Sequence, residues 1–211
     1  MAAFDAAIAA GFGIECDVRA SRDGIAIVFH DAMLTRMGAR DEGVAMLDSV
    51  VLDSVTLPDG GTIPRLSALV ARCGGHVPLL VEIKADGRDV RRICEAVARD
   101  LDEWPGAPIA VMSFNPRAIG WFARHRPRQA RGLVLTQQGK GALRGRIARA
   151  LAFWLAKPDF LACDIRDLPS SYSRRACAKG LPVLTWTVRS QADRDRAGRY
   201  ADQIIFERPH E

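Results

Sequence analysis

No uninterrupted apolar stretch in this 211-residue chain approaches the ~20 residues that a membrane-spanning helix requires. The longest, residues 151–156, is bracketed by Arg149 and Lys157. A basic leader is also missing. The opening MAAFDAAIAAGFG carries Asp5 and no Lys or Arg, so it does not read as a secretion signal. Cysteine is sparse and odd in number: Cys16, Cys73, Cys94, Cys163 and Cys177 stand singly among apolar neighbours, with no CxxC pair and no His/Cys cluster. That spacing gives no sign of zinc and fits reduced, buried thiols in a cytoplasmic protein. Acidic residues are absent between Arg117 and Lys157, where ten Lys or Arg fall. Neither a nucleic-acid-binding module nor stacking aromatics interleaved with basic residues can be read in the chain, so nucleic acid is not an expected partner. The basic stretch instead implies a field that attracts anionic small molecules or an anionic surface. Glycine-rich phosphate loops of the G-x-G-x-x-G or G-x-x-x-x-G-K-[ST] kind are missing as well.

What is present reads as one globular domain over residues 1–211. Hydrophobic residues make up 48% and charged residues 26% of the chain, and a domain of this length buries roughly 70% of its unfolded surface without disulfide or metal support. Short β-branched runs at 13–18, 25–29, 78–84, 109–114, 132–136, 160–165, 182–188 and 203–206 alternate with helical patterns. The helical stretches are 2–10, 65–72, 88–104, 116–126, 142–156, 171–179 and 191–200. Gly11 and Gly180 fall where helix C-termini favour a left-handed residue, and Asn115-Pro116 reads as a cap followed by proline in the first turn. Strand followed by helix along the whole chain predicts a parallel α/β sheet, and the lack of a phosphate loop favours a barrel over an open sheet. Asp23-Gly24 marks a hairpin, which makes 25–30 an extension and leaves seven barrel strands. The expected fold is therefore a TIM (β/α)8-type barrel lacking its first strand in this chain, with two unpaired edges.

The candidate site residues follow from strand alternation. Glu15 and Asp17 share one face of their strand while Ile14, Cys16 and Val18 share the other. If the apolar trio packs under the helices, both carboxylates face the barrel interior. Glu82 and Lys84 repeat the pattern against Val81 and Ile83. Like charges in such a place are costly unless a cation or a protein donor offsets them, and clustered hard oxygen ligands suit Ca²⁺ or Mg²⁺, with the Lys84 ammonium beside them as a partner for phosphate. The plainer alternative is a buried ion-pair layer at the barrel mouth. His30, at a strand end and followed by Asp31, is a candidate general acid or base, because imidazole exchanges protons near neutrality.

Residues 11–36, GFGIECDVRASRDGIAIVFHDAMLTR, resemble the signature of the glycerophosphodiester phosphodiesterase family: a Glu-x-Asp-Val strand, an Asp-Gly turn, and a strand ending in His-Asp. Ile63-Pro64, LVEIK (80–84), Ser113-Phe114, LTWTV (184–188) and QIIFE (203–207) follow in the family's order, so the resemblance spans almost the entire chain. It implies a metal-dependent barrel that cleaves glycerophosphodiesters to sn-glycerol 3-phosphate and an alcohol. By that resemblance Glu15, Asp17 and Glu82 match the metal ligands, with Ca²⁺ or Mg²⁺ as cofactor. His30 matches one of two catalytic histidines, Lys84 a lysine near the phosphate, and Trp186 an aromatic near the glycerol end. Ser113 and Phe114 border the site without an assigned role.

The family's opening strand, ending in His-Arg-Gly, and its Pro-Glu-Asn loop have no counterpart here. His125-Arg126 ends a helical stretch and does not replace them. The chain as it stands is thus expected to be impaired in catalysis, and a non-catalytic phosphodiester- or metal-binding remnant of the barrel is the alternative. Residues 142–156 place Leu143, Ile147, Leu151, Phe153, Trp154 and Leu155 on a mostly apolar stripe with Arg144, Arg146 and Arg149 elsewhere. The expectation is packing on the sheet; the sharper reading is weak contact with an anionic membrane surface. His76 and His210 read as surface residues. Oligomeric state is open.

Overall fold

The computed structural model describes residues 1–35, 41–58, 60–138 and 142–207, with residues 142–147 described by backbone alone. Arg36, His210 and the side chains of Leu143, Arg144, Arg146 and Ile147 lie outside the described residues. Helix α1 (Ala2–Ala9) leads into β1 (Ile14–Ala20), which turns at Gly24 (φ +78°) into the short antiparallel β2 (Ala26–Val28). Helices α2 (Ser49–Asp53) and α3 (Leu66–Cys73) precede β3 (Leu79–Ile83). The chain then alternates strictly: α4 (Arg91–Asp102), β4 (Ile109–Ser113), α5 (Pro116–His125), β5 (Ala130–Leu135), α6 (Ala142–Ala156), β6 (Phe160–Asp164), α7 (Ser171–Ala178), β7 (Val183–Val188), α8 (Gln191–Tyr200) and β8 (Gln203–Phe206).

The sheet runs β2-β1-β3-β4-β5-β6-β7-β8, parallel throughout except for β2. The expected barrel with seven parallel strands and a hairpin extension is therefore present, and β8 is not hydrogen-bonded to β1. The edges differ from expectation in one respect. Residues Ala26–Val28 pair with Val18–Ala20, so the C-terminal half of β1 is covered and only its N-terminal half stands open on that side. Across the opening, Phe12 meets Phe206 edge-on at 5.4 Å between ring centres.

Alternation decides what each strand face does. Ile14, Cys16 and Val18 pack with Val81 and Ile83 against Leu69, Val70, Val97 and Phe122 under the outer helices. Inside the curl, Met112, Val134, Phe160 and Ala162 form a separate cluster with Leu80, Leu184 and Ile205. The Phe160 ring lies over Gly132, where an added Cβ would come within 2.1 Å of it, so only glycine fits beneath that ring. Cys16, Cys73, Cys94 and Cys163 are buried free thiols as expected, whereas Cys177 is exposed.

Two connections needed tertiary contacts to take shape. The excursion between β2 and α3 has its own small core of Ile27, Phe29, Leu34, Val44, Leu47, Leu52, Val55 and Ile63, which carries the segment holding His30. Its short helix α2, not evident in the sequence, is anchored by Asp23, whose Oδ1 accepts from the Ser49 amide at 2.9 Å and whose Oδ2 accepts from Ser49 Oγ at 2.8 Å. Helix α6 departs from the expected packing. Its Leu151, Phe153, Trp154 and Leu155 side chains are exposed, while Ala156 is buried. The helix meets α5 through backbone: a Cβ on Gly120 would lie 2.7 Å from the Leu155 carbonyl oxygen.

Candidate active site

The parallel register places the acidic residues. Asp17 on β1 stands directly opposite Glu82 on β3, and Glu15 opposite Leu80. Since odd positions of β1 and even positions of β3 point inward, three carboxylates meet inside the curl. Glu15, Asp17 and Glu82 each present an oxygen such that all three lie within 4.8 Å of one another. Lys84, just past the end of β3, reaches back to them, with its Nζ 2.9 Å from Asp17 Oδ1 and in contact with Glu82 Oε1. Its backbone is held by the bond from the Lys84 amide to the Val18 carbonyl.

This arrangement leaves excess negative charge in a shielded place. Burial foremost, then the charges of Asp17 and Glu82, push the Glu15 carboxyl up to about 8. Burial also raises Glu82, against the pull of Lys84. Burial works against the Lys84 ammonium too, yet Glu82 and Asp17 hold it charged and its pKa stands above the ordinary value. One ammonium thus faces three carboxylates. Hard oxygens of like charge at this separation can act as donors to a divalent cation, and the residues present fit such an ion.

His30 lies at the same end of the curl and lines the same cleft as Glu15, Asp17, Glu82 and Lys84. Its Nδ1 is 2.7 Å from Asp31 Oδ1, and its side chain is 60% exposed. Its carbonyl accepts from Arg19 Nε at 2.9 Å, and Arg19 Nη1 pairs with Asp86 at 2.7 Å. Arg19 was not singled out in the sequence, although it continues the inward alternation of Glu15 and Asp17. Trp186 faces the cleft from β7; its Nε1 donates to the Ala162 carbonyl at 3.3 Å and its ring meets Phe114 edge-on at 5.5 Å. Phe114 in turn lies 5.9 Å beneath Lys84 Nζ, so it forms part of the cleft wall. Ser113 serves structure: it is buried, and its Oγ donates to the Ile83 carbonyl at 2.7 Å.

Glu207, past the end of β8, belongs to the QIIFE run but has no role assigned from the sequence. It accepts from Arg189 Nε at 2.8 Å, and its charge reaches Glu15 from across the opening. Only the curl of the sheet, not spacing, brings it there. His125 ends α5 with its Nδ1 2.9 Å from the Trp121 carbonyl, and His76 is exposed, as expected. The cleft has a volume of about 2530 Å³ and continues from the acidic cluster down the open side of the sheet past Leu80, Phe160 and Ile205 to α1.

Many solved structures share this fold, among them three phosphodiesterases. The glycerophosphodiester phosphodiesterase of Thermotoga maritima is 23% identical, covers 97% of this chain and 86% of its own, and superposes with a TM-score of 0.77. An Oleispira antarctica phosphodiesterase, solved in complex with the product sn-glycerol-3-phosphate, is 21% identical over 97% of this chain and 85% of its own, with a TM-score of 0.81. The glycerophosphodiester phosphodiesterase of Agrobacterium tumefaciens str. C58 is 23% identical over 99% of this chain and 89% of its own, with a TM-score of 0.75. No curated protein sequence matches the chain significantly. The profile of the Glycerophosphoryl diester phosphodiesterase family matches residues 1–210. With that match spanning the curled sheet and the acidic cluster it carries, the chain belongs to the glycerophosphoryl diester phosphodiesterase family.

Proposed function

We propose that residues 1–211 act as one barrel domain that hydrolyses glycerophosphodiesters to sn-glycerol 3-phosphate and an alcohol, with a divalent cation, Ca²⁺ or Mg²⁺, held by Glu15, Asp17 and Glu82. The observation that carries this reading is the convergence of those three carboxylates within 4.8 Å beside Lys84, in the cleft that His30 also lines. Family membership supports the reaction class. The sn-glycerol-3-phosphate bound by the Oleispira antarctica protein supports the product.

A cation in that cluster supplies positive charge that offsets the negative charge growing on the phosphate oxygens. The chain's own groups do the rest. Lys84 holds a phosphate oxygen with the protons it does not give to Asp17 and Glu82. Asp31 fixes the orientation of the His30 ring through Nδ1, leaving Nε2 to take a proton from the attacking hydroxyl or to give one to the departing alcohol. Arg19 holds the His30 backbone in place. The Trp186 and Phe114 rings form an apolar wall for the carbon face of glycerol.

Among the described residues His30 is the one imidazole at this end of the barrel, so one of the two proton transfers falls to water and turnover is slow. The same observation favours a second reading, a barrel that binds a phosphodiester or a cation without cleaving it. The experiment is release of choline from glycerophosphocholine with Ca²⁺ or Mg²⁺, and again after chelation, for the native chain and for His30→Gln. Metal-dependent release that falls by ~10²–10⁴-fold in the variant supports the enzyme. Tight cation binding with no release in either protein supports the binding reading, and neither binding nor release refutes both. The buried free thiols support a reducing compartment, and we place the chain in the cytoplasm.

A further inference from the structure

The C-terminal half of α6 does not pack as an outer barrel helix should. Leu151 is 62% and Trp154 74% exposed; one turn apart, they share a face that looks away from the sheet, with Leu155 on its flank. The face continues onto α5. Gly120 abuts the Leu155 carbonyl, and Arg117 and Arg124, three residues before and four after Gly120, lie on the same side of α5. Arg117, Arg124, Arg128 and Lys157 are all exposed, and among the described residues none of them makes an ion pair. Asp102 at the end of α4 and Asp159 just before β6 are already engaged, with Arg126 and Arg131.

We infer that this face docks on an anionic lipid bilayer. An apolar ridge ending in an indole, rimmed by unpaired guanidinium and ammonium groups, matches the layered chemistry of such a surface, where Trp sits at the headgroup boundary and cations meet lipid phosphates. Charge chooses between occupants. A second copy would set the same unpaired cations of a chain of net charge +5 against one another, whereas anionic headgroups neutralise them. This surface lies on the outer helices and does not depend on the reaction assigned to the cleft.

The test is co-sedimentation of the full chain with vesicles of phosphatidylcholine mixed with phosphatidylglycerol, and with phosphatidylcholine alone. Binding is expected to the mixed vesicles at low salt, with loss in high salt and none to phosphatidylcholine. The exposed double variant L151S/W154S should bind about tenfold more weakly or worse while keeping the native melting curve by circular dichroism. R117Q/R124Q should weaken binding by about tenfold through charge alone. Failure of the native chain to bind mixed vesicles at low salt overturns the inference. So does binding that neither variant weakens. A native dimer that W154S dissociates would assign the face to a second copy instead.

Discussion

Replacing Glu15 with glutamine keeps the size and shape of the side chain but removes the charge that the cation-free cluster accommodates least well. In the folded chain this carboxyl is pushed up to about 8 by burial and by Asp17 and Glu82, from an ordinary value of 4.5. Because the folded state holds this proton more tightly than the unfolded state, its stabilising contribution is complete below the unfolded pKa and is lost as pH rises through about 8. At about 1.4 kcal/mol for each tenfold change in proton affinity, ionising Glu15 in the fold costs at most about 5 kcal/mol. Water at the cleft mouth reduces this to about 2–3 kcal/mol. For a chain of this length that corresponds to roughly 5–10 °C in melting temperature. Differential scanning fluorimetry in chelator should therefore show Glu15→Gln and native melting together near about pH 4, below the unfolded value of 4.5, where the Glu15 carboxyl is largely protonated in both states. Near about pH 9.5 the variant should melt higher by that amount. Adding Ca²⁺ or Mg²⁺ at high pH should raise the native melting point and close the gap, because a bound cation compensates the ionised cluster. Parallel pH curves for the two proteins, or a native chain that gains stability relative to the variant as pH rises through about 8, would refute the reasoning.

Three further outcomes follow from the same structure. Lys84→Met removes the one cation between Asp17 and Glu82; breaking a buried pair costs about 3–5 kcal/mol, less here because Asp17 reaches solvent. A fall of several degrees in the cation-free melting temperature, and a raised KM for any diester turned over, are expected. Gly120→Ala sets helix propensity against sterics. Propensity alone adds about 0.5–1 kcal/mol, but the new Cβ would sit 2.7 Å from the Leu155 carbonyl oxygen, and overpacking costs about 1–3 kcal/mol. Urea unfolding should show net destabilisation, and a stabilised variant would mean that α5 and α6 do not touch there. Asp23 is held down to about 2 by hydrogen bonds from Ser21, with burial opposing and Ser49 adding, so its contribution is present above about 3.8 and is lost as pH falls through about 2. Asp23→Asn should flatten the acid limb of the stability curve without changing its alkaline limb.

Strand alternation and the order of strands and helices are local properties, written in covalent geometry, and by themselves they determined much of this protein. Glu15 and Asp17 had to share a face, as did Glu82 and Lys84, and the apolar residues between them had to lie under the helices. The repeated strand–helix pattern without a phosphate loop determined the barrel, and Asp23-Gly24 determined its hairpin. Tertiary structure decided what depends on segments far apart in the chain. The register of β1 against β3 put Asp17 opposite Glu82 and made three acids one cluster. The curl of the sheet brought Glu207 within reach of Glu15, and the small core from Ile27 to Ile63 carried His30 to the cleft. The apolar stripe of α6 shows the limit most clearly. Its residues look like a packing face in the sequence, but whether a face is covered depends on which neighbour approaches it. Here α5 approaches through Gly120 and leaves Leu151 and Trp154 facing solvent.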